Sequence, residues 1–128
     1  MKRTWPIIGV QDVGASWRWY LSLFGRPQTP PAHPDFSQVC DEDGTVLLCL
    51  HEWAGHGEGP PLARRAEGEA GNGLLLVFRV DDFEACLERA RAIVPRFEME
   101  PAVSEGTRTI EFRLRDPDGY YVSVNSIS

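Results

Sequence analysis

Cysteine, long apolar runs and positive charge are all scarce in this sequence. Its three cysteines, Cys40, Cys49 and Cys86, are odd in number and widely spaced, and no C-x-x-C pair occurs. This spacing argues against a disulfide framework and against a cysteine-based zinc site, so we interpret all three as reduced thiols. No apolar stretch approaches the roughly 20 residues of a membrane helix, and the basic N-terminus MKRTWPIIG lacks the apolar segment of a signal peptide. We therefore predict no membrane segment and a cytoplasmic location.

The charge balance narrows the possible partners. Only 13 of the 128 residues are Lys or Arg, against 19 Asp and Glu, which gives a formal net charge of −6. Binding to nucleic acid or to an anionic membrane needs clustered Lys and Arg, so we expect neither partner. A neutral or cationic small molecule suits this charge better. The length and the 42% hydrophobic composition fit one domain over residues 1–128, without a second core.

The first half of the chain predicts a strand, a helix and a hairpin. Residues 5–11 (WPIIGVQ) have the composition of a buried strand, and Asp12 can cap a helix that ends at Gly25. The segments FSQVCDED and TVLLCLHEW then predict two strands, with the turn DEDG between them.

The same order of elements returns in the second half. Residues 73–80 (GLLLVFRV) predict an apolar strand, and Asp81 or Asp82 can cap the following helix. Glu84 is placed to close a capping box from Asp81, and Pro95 ends the helix. The segments RTIEFRLR and YYVSVNS predict a hairpin around the turn DPDG.

This repeat predicts an α+β fold built from two β-α-β-β(-β) modules. Module one spans about 1–53 and module two about 73–128, and residues 54–72 between them form a Gly- and Pro-rich linker or flap. A single module cannot bury both faces of its curved sheet. We therefore expect a cup-like mixed sheet with the helices on the outside, and the inside of the cup is the natural ligand site.

Alternation in the last hairpin assigns its side chains to faces. The apolar set should pack under the helices, and the intervening side chains should face the cup. These cup-facing residues are Glu111, Arg113, Tyr121, Ser123 and Asn125. A polar lining of this kind suits a binding site, although a solvated sheet face would give the same pattern.

Two segments carry a resemblance to a known family. IIGVQDVGASWRWYLSLFG is similar to the first strand and helix of the glyoxalase/bleomycin-resistance/dioxygenase family (the vicinal oxygen chelate superfamily), and IEFRLRDPDGYYVSV is similar to its closing hairpin. With the internal repeat, the resemblance covers nearly the whole chain. It implies paired β-α-β-β-β modules, usually in a homodimer whose ligand cups lie at or near the subunit interface.

The resemblance also implies four metal-ligand positions, one on each of four strands of the cup. Counted from shared landmarks, these positions fall on Trp5, near Cys49, on Leu74 or Leu75, and on Ser123. None is a carboxylate or a histidine, and only the Cys49 thiol could bind a divalent ion. We therefore expect neither a metal nor another cofactor at this site.

Two histidines near the second of these positions offer an alternative. His51, His56 and Glu111 could form a substitute metal site, but the spacing H-x4-H matches no metal-binding motif, and surface histidines are the simpler interpretation. If Cys49 faces the cup, His51 does too. Its imidazole could then bind a ligand or act as a general base, and a structural histidine is the other possibility.

Aromatic residues complete the predicted ligand site. Trp5, Trp53 and Tyr121 lie at or beside the predicted cup strands, where aromatic rings would form a wall for a planar ligand. Trp5 could instead fill a dimer interface. The complete set of predicted ligand-binding residues is Trp5, Cys49, His51, Trp53, Glu111, Arg113, Tyr121 and Ser123.

Three functions follow from these observations. The preferred one is metal-independent binding or sequestration of a small planar or cationic compound in a cup at a dimer interface, as the resemblance to bleomycin-resistance proteins implies. The second is a superfamily enzyme of the lyase, isomerase or dioxygenase type that uses a relocated metal or acid–base chemistry through His51 and Glu111. The third is a dimeric structural or regulatory module whose cup is filled by side chains.

Overall fold

The computed structural model describes residues 1–53, 71 and 73–127. The elements within these residues are β1 (Ile7–Val10), α1 (Val13–Phe24), β2 (Phe36–Cys40), β3 (Val46–Glu52), β4 (Leu75–Val80), α2 (Phe83–Ile93), β5 (Met99–Val103), β6 (Ile110–Arg115) and β7 (Tyr121–Ser126). The predicted α+β fold class is confirmed. Of the helices in these ranges, none has the length and apolarity needed to cross a membrane. The predicted linker 54–72 lies outside the described residues, except for Gly71.

The strands form two sheets with related topologies. The order in the first sheet is β1-β3-β2 and in the second β4-β7-β6-β5. In each sheet the first strand of the module pairs in parallel with the last strand, and the other pairs are antiparallel. The first module is therefore β-α-β-β and the second β-α-β-β-β. The additional strand β5 lies at a sheet edge, which tolerates the Pro101 that it contains.

Helix α1 begins and ends where its sequence predicts. The Asp12 side chain accepts a hydrogen bond from the backbone N–H of Ala15 at 3.0 Å, and Gly25 adopts the left-handed conformation (φ 67°) just after the last helical residue. Both predicted ends of this helix are confirmed.

Helix α2 differs from its prediction in one detail. Its cap is Asp82, whose side chain accepts a hydrogen bond from the backbone N–H of Ala85 at 3.1 Å. Glu84 is therefore the second residue of the helix, one position too early for a capping box with this cap, so the predicted box from Asp81 is wrong. The helix ends at Ile93, because a residue just before a proline disfavours the helical conformation.

The turn DPDG joins the two modules. Tyr20 of α1 donates a buried hydrogen bond to the carboxylate of Asp116 (2.6 Å), and Tyr120 donates one to the carbonyl of Gly9 in β1 (2.8 Å). Asp118 accepts a backbone N–H from the residue after β1 at 2.9 Å. Burial raises the pKa of both phenols, that of Tyr120 to about 12, so both remain hydrogen-bond donors at neutral pH. The sequence identifies this segment only as a turn, whereas in the fold its side chains hydrogen-bond to the first strand and helix of the other module.

Candidate functional site

The candidate site is built on the sheet faces that point away from the core. One set of alternating strand residues, which includes Ile8, Val10, Phe78, Val122 and Val124, packs with the helices in the core. We call the opposite set the inner face. It consists of Ile7, Gly9, Phe36, Gln38, Cys49 and His51 on the first sheet, and of Leu75, Val77, Arg79, Glu111, Arg113, Arg115, Tyr121, Ser123 and Asn125 on the second.

A polar cluster lies on the inner face of the second sheet. The hydroxyl of Ser123 donates to Oδ1 of Asn125 at 2.7 Å, and Nδ2 of Asn125 donates to Oε2 of Glu111 at 3.3 Å. Thr109 accepts a further hydrogen bond from the same amide at 3.3 Å. Glu111, Ser123 and Asn125 are only 8%, 0% and 5% exposed. The predicted polar lining is present, but its members bind one another.

Arg113 stands beside this cluster with few partners of its own. Its Nη2 lies 3.5 Å from Oε1 of Glu111, and its Nε is buried with no hydrogen-bond partner among the described residues. The guanidinium carbons of Arg113 and Arg115 lie 5.7 and 4.3 Å from the centre of the Tyr121 ring, close enough for cation–π contact.

Exposed apolar side chains surround the polar cluster. In β4, Leu76 and Phe78 are buried, whereas Leu75 and Val77 are 41% and 50% exposed. Val77 is the register partner of Ser123, so an exposed apolar group adjoins the buried hydroxyl. Apolar surface of this kind is typical of a place where a ligand or a partner binds.

On the first sheet, neighbouring side chains cover part of the inner face. Burial raises the pKa of the Cys49 thiol, which keeps it neutral, and Nε2 of Gln38 lies 3.6 Å from its sulfur. The ring of Trp53 covers Gly9 so closely that a Cβ atom there would lie 2.4 Å from it. Only a glycine at this position of β1 leaves room for the indole.

His51 has one ring nitrogen engaged. Its Nδ1 lies 2.6 Å from the carbonyl oxygen of Glu52, which can only accept, so Nδ1 carries the proton. Nε2 is then the basic atom of the neutral ring. The Phe36 ring lies 5.9 Å away at an angle of 64° and packs beside the imidazole.

The fold gathers the predicted site residues into two groups. Glu111, Arg113, Tyr121 and Ser123 share the inner face of the second sheet, and Cys49 and His51 share that of the first, with Trp53 just beyond it. Trp5 precedes β1 and is 60% exposed. Among the hydrogen bonds and ion pairs of the described chain, none links the two groups. His56 lies outside the described residues.

Several residues of this face were not predicted from the sequence. Ile7 and Val77 belong to strands whose apolar composition predicts burial, whereas alternation counted from the core residues places them on the inner face. Gly9 gives no such signal, because its role depends on the position of Trp53, which is distant in sequence.

A groove of about 770 Å³ also runs along β4. It is lined by Leu75, Val77 and Arg79 of the inner face, and its rim includes the exposed carboxylates of Asp41, Asp43, Asp81 and Asp82. None of the ligand-binding residues predicted from the sequence lines it. The polar cluster and the underpaired guanidinium lie on the inner face, so we take the inner face as the candidate site.

Comparison with known families agrees with this fold. The family model described as "Glyoxalase/Bleomycin resistance protein/Dioxygenase superfamily" matches residues 4–124. The chain belongs to this superfamily. No curated protein matches the sequence.

Solved structures share the superfamily fold with this chain at low sequence identity. A glyoxalase/bleomycin resistance protein from Catenulispora acidiphila is 22% identical, with all of both chains covered and a TM-score of 0.63. A lactoylglutathione lyase from Agrobacterium tumefaciens is 16% identical, with 98% of this chain and 93% of that chain covered and a TM-score of 0.65. A glyoxalase-related enzyme from Fulvimarina pelagi is 19% identical, with 98% and 88% covered and a TM-score of 0.69.

The side chains at the four metal-ligand positions implied by the superfamily do not fit a divalent ion. The hydroxyl of Ser123 is buried and bonded within the polar cluster, and the Cys49 thiol is held neutral by burial. Trp5 and Leu75 offer no donor atom suited to such an ion. Across residues 1–53 and 73–127, no group of three His, Cys, Asp or Glu side chains is arranged to hold a metal.

Proposed function

We propose that this superfamily member binds a small planar molecule on its inner face without a metal ion. The observation that carries this proposal is the exposed apolar strip of Leu75 and Val77 beside the buried polar cluster of Glu111, Ser123 and Asn125. A small-molecule site typically combines apolar walls with a few fixed polar groups. The strip supplies the walls, and the cluster supplies a rigid floor.

Metal independence is part of the proposal because of the chemistry at the implied ligand positions. Zn²⁺ and similar ions need several imidazole, carboxylate or thiolate groups around one point. The tryptophan, leucine and serine at three of these positions replace such groups with apolar walls and a small hydroxyl.

A second copy of the chain completes the site in this proposal. Trp5, Ile7, Leu75 and Val77 are all more than 40% exposed in the single chain, and association would remove their apolar surface from water. The edge strands of both sheets also leave backbone groups that a partner could cover. A homodimer in the cytoplasm is therefore part of the proposed function.

Proton transfer by His51 is a second candidate function. It is favoured by the contact between Nδ1 and the Glu52 carbonyl, which leaves Nε2 as the basic atom. A direct His51–Glu111 acid–base pair is disfavoured, because Glu111 is engaged in the polar cluster of the other sheet.

The experiment that tests the proposal is a fluorescence titration of chelator-treated protein. We expect planar probes, such as a bleomycin-type bithiazole and 2-naphthoate with its amide and amine analogues, to quench tryptophan emission saturably, and we expect the same affinity with or without EDTA. The metal content of protein purified without chelator should stay below about a tenth of an equivalent. The variant His51→Ala should bind the probes as tightly as wild type.

Three results would contradict this function. Stoichiometric zinc, nickel, iron or manganese in the purified protein would contradict the claim that the site works without a metal ion. If no probe of the panel quenches tryptophan emission saturably, the proposed binding function is wrong. Catalytic conversion of a bound probe that disappears in His51→Ala would favour the second candidate.

A further inference from the structure

We infer that the molecule bound on the inner face is an aromatic or similarly planar acid, whose anionic group is recognised by the guanidinium of Arg113. The inference rests on the proposed small-molecule function and specifies the class of ligand. It differs from the neutral or cationic ligand that the net charge of −6 favours.

The charge of the inner face differs in sign from the charge of the whole chain. Three of its positions on the second sheet are arginines (Arg79, Arg113 and Arg115), and Glu111 is its carboxylate. That carboxylate is buried and already accepts hydrogen bonds within the polar cluster. Arg115 is also paired with Glu98 at 3.6 Å, and with this pair counted the side chains around Arg113 on the second sheet still carry more positive than negative charge. The exposed carboxylates of the groove lie on the far side of β4 from Arg113 in the strand order.

The guanidinium of Arg113 has more donors than acceptors around it. A charge-assisted N–H···O bond has a length of about 2.7–2.9 Å, whereas the distance between Arg113 and Glu111 is 3.5 Å. The Nε atom is buried without a partner in the described part of the chain. Because Nε is buried, a ligand would meet the outer nitrogens of the guanidinium, of which only Nη2 lies near an acceptor in the described residues. The Arg113 side chain is 30% exposed, so a ligand can reach its outer nitrogens.

The order of residues across the sheet suggests how a planar acid would lie. Val77, Ser123 and Arg113 are register partners on three adjacent strands, β4, β7 and β6. Adjacent strands are about 4.8 Å apart, so Val77 and Arg113 stand roughly 10 Å apart, with a small side chain between them. This distance suits a bicyclic aromatic acid, with its rings on Val77 and its carboxylate at Arg113. Ser123 is 0% exposed, so it lies beneath this row and does not itself contact the ligand.

The ring of Tyr121 supports this arrangement from one side. It is the register partner of both Leu75 and Arg115, and the Arg115 guanidinium carbon lies 4.3 Å from its centre. The stacked ring and guanidinium therefore lie beside the row of register partners Val77, Ser123 and Arg113. A flat ligand can therefore contact both the apolar strip and the tyrosine ring.

Isothermal titration calorimetry with three matched probes tests the inference. 2-Naphthoate, 2-naphthamide and 2-(aminomethyl)naphthalene share one ring system and carry an anionic, a neutral and a cationic group. We expect wild-type protein to bind the naphthoate at least about ten-fold more tightly than the amide, which corresponds to roughly 1.4 kcal/mol. This preference should weaken as salt concentration rises.

Variants of Arg113 identify the residue responsible for the preference. The double variant Arg113→Gln, Glu111→Gln removes the guanidinium without leaving a buried carboxylate unpaired, and it should bind acid and amide equally within about two-fold. Arg113→Lys should retain part of the preference, because it keeps the charge but loses the planar fork. The matched control is Arg91→Gln, which removes an exposed arginine paired with Glu100 on the outside of α2. It should keep the full preference.

The outcomes separate this inference from the function on which it rests. If wild type binds the amide or the amine as tightly as the naphthoate, the acid-specific site is wrong and small-molecule binding stands. If the folded double variant keeps its ten-fold preference for the acid, Arg113 is not the residue that recognises it. If no probe binds saturably, the proposed function itself fails.

Discussion

At the scale of single residues, Asp116 shows how one buried carboxylate links the two modules. It accepts hydrogen bonds from the Tyr20 hydroxyl and from the backbone N–H groups of Asp118 and Tyr120. Burial raises the pKa of its carboxyl group above 3.8, and these hydrogen bonds offset the rise only in part. The charged form of Asp116 is therefore less favourable in the folded protein than in the unfolded chain.

This shift predicts a specific dependence of stability on pH. Because the folded pKa lies above the unfolded one, the folded state binds more protons in the interval between them, and stability rises as the pH falls through it. Asp116→Asn cannot bind this proton. We expect wild type to gain stability relative to Asp116→Asn as the pH is lowered from 7 towards 4, as measured by urea unfolding at several pH values.

Asp43 provides the control for this experiment. It is the third residue of the turn DEDG, is exposed, and has a pKa lowered by hydrogen bonds from Thr45. The charged Asp43 carboxylate therefore contributes to stability above the ordinary pKa of 3.8, and this contribution is lost only as the pH falls below that value. The difference in free energy of unfolding between wild type and Asp43→Asn should therefore stay constant between pH 7 and 5. A constant stability difference between wild type and Asp116→Asn from pH 7 to 4 would contradict the predicted shift.

At the scale of elements, local chemistry determines what the sequence predicts well. Helix α1 was predicted with both ends because Asp12 and Gly25 act on the backbone next to them. The β-α-β-β(-β) pattern allowed for strand β5 but did not locate it, because β5 is a half-exposed edge strand with Pro101 and an irregular register, so it lacks alternation. The hydrogen bond between Tyr20 and Asp116 was not predicted, because the two residues are 96 positions apart in the sequence.

Packing between β1 and the residue after β3 gives a prediction at this scale. Gly9→Ala would bring a Cβ atom to 2.4 Å from the Trp53 ring, so the indole must move. Such overpacking typically costs about 1 to 3 kcal/mol of folding free energy. We expect a loss of this size in urea unfolding, with a shift in tryptophan emission as Trp53 becomes more exposed.

Gly106→Ala is the matched control for Gly9→Ala. A Cβ atom at Gly106 would have no neighbour within 4 Å, and its backbone conformation does not require glycine. It should leave stability and emission close to wild type. Equal behaviour of the two variants would mean that Trp53 can leave Gly9 without cost, and that the indole is not a fixed wall of the site.

At the scale of the whole molecule, the sequence predicted which strand residues share one face but not how their side chains contact one another. Alternation correctly placed Glu111, Arg113 and Ser123 on one face. It could not predict that Glu111 and Ser123 would be buried within one cluster while Arg113 stays underpaired, because side-chain conformation and strand register decide these contacts. Net charge likewise does not describe a single face, because it sums over all the faces of the molecule.

The last prediction concerns Trp5, which the fold of one chain leaves 60% exposed. The proposed site lies at the contact with a second copy of the chain, so this indole meets either the ligand or the partner, and we expect it to contact the ligand. We expect Trp5→Ala to remain dimeric at micromolar concentration in sedimentation velocity. Its affinity for 2-naphthoate should fall about five-fold, because a stacking aromatic contributes on the order of 1 kcal/mol.

Trp19→Phe is the control for this substitution, because Trp19 packs edge-on against Tyr20 on α1, with ring centres 4.8 Å apart, away from the inner face. It should change neither association nor affinity. If Trp5→Ala becomes monomeric, Trp5 belongs to the subunit contact, and its loss reports assembly instead of binding. If Trp5→Ala stays dimeric and binds 2-naphthoate as tightly as wild type, Trp5 lies outside the site, and the apolar wall consists of Leu75 and Val77. A monomeric wild-type protein that still binds the probe would show that one inner face is sufficient, because the exposed strip would then be covered by ligand alone.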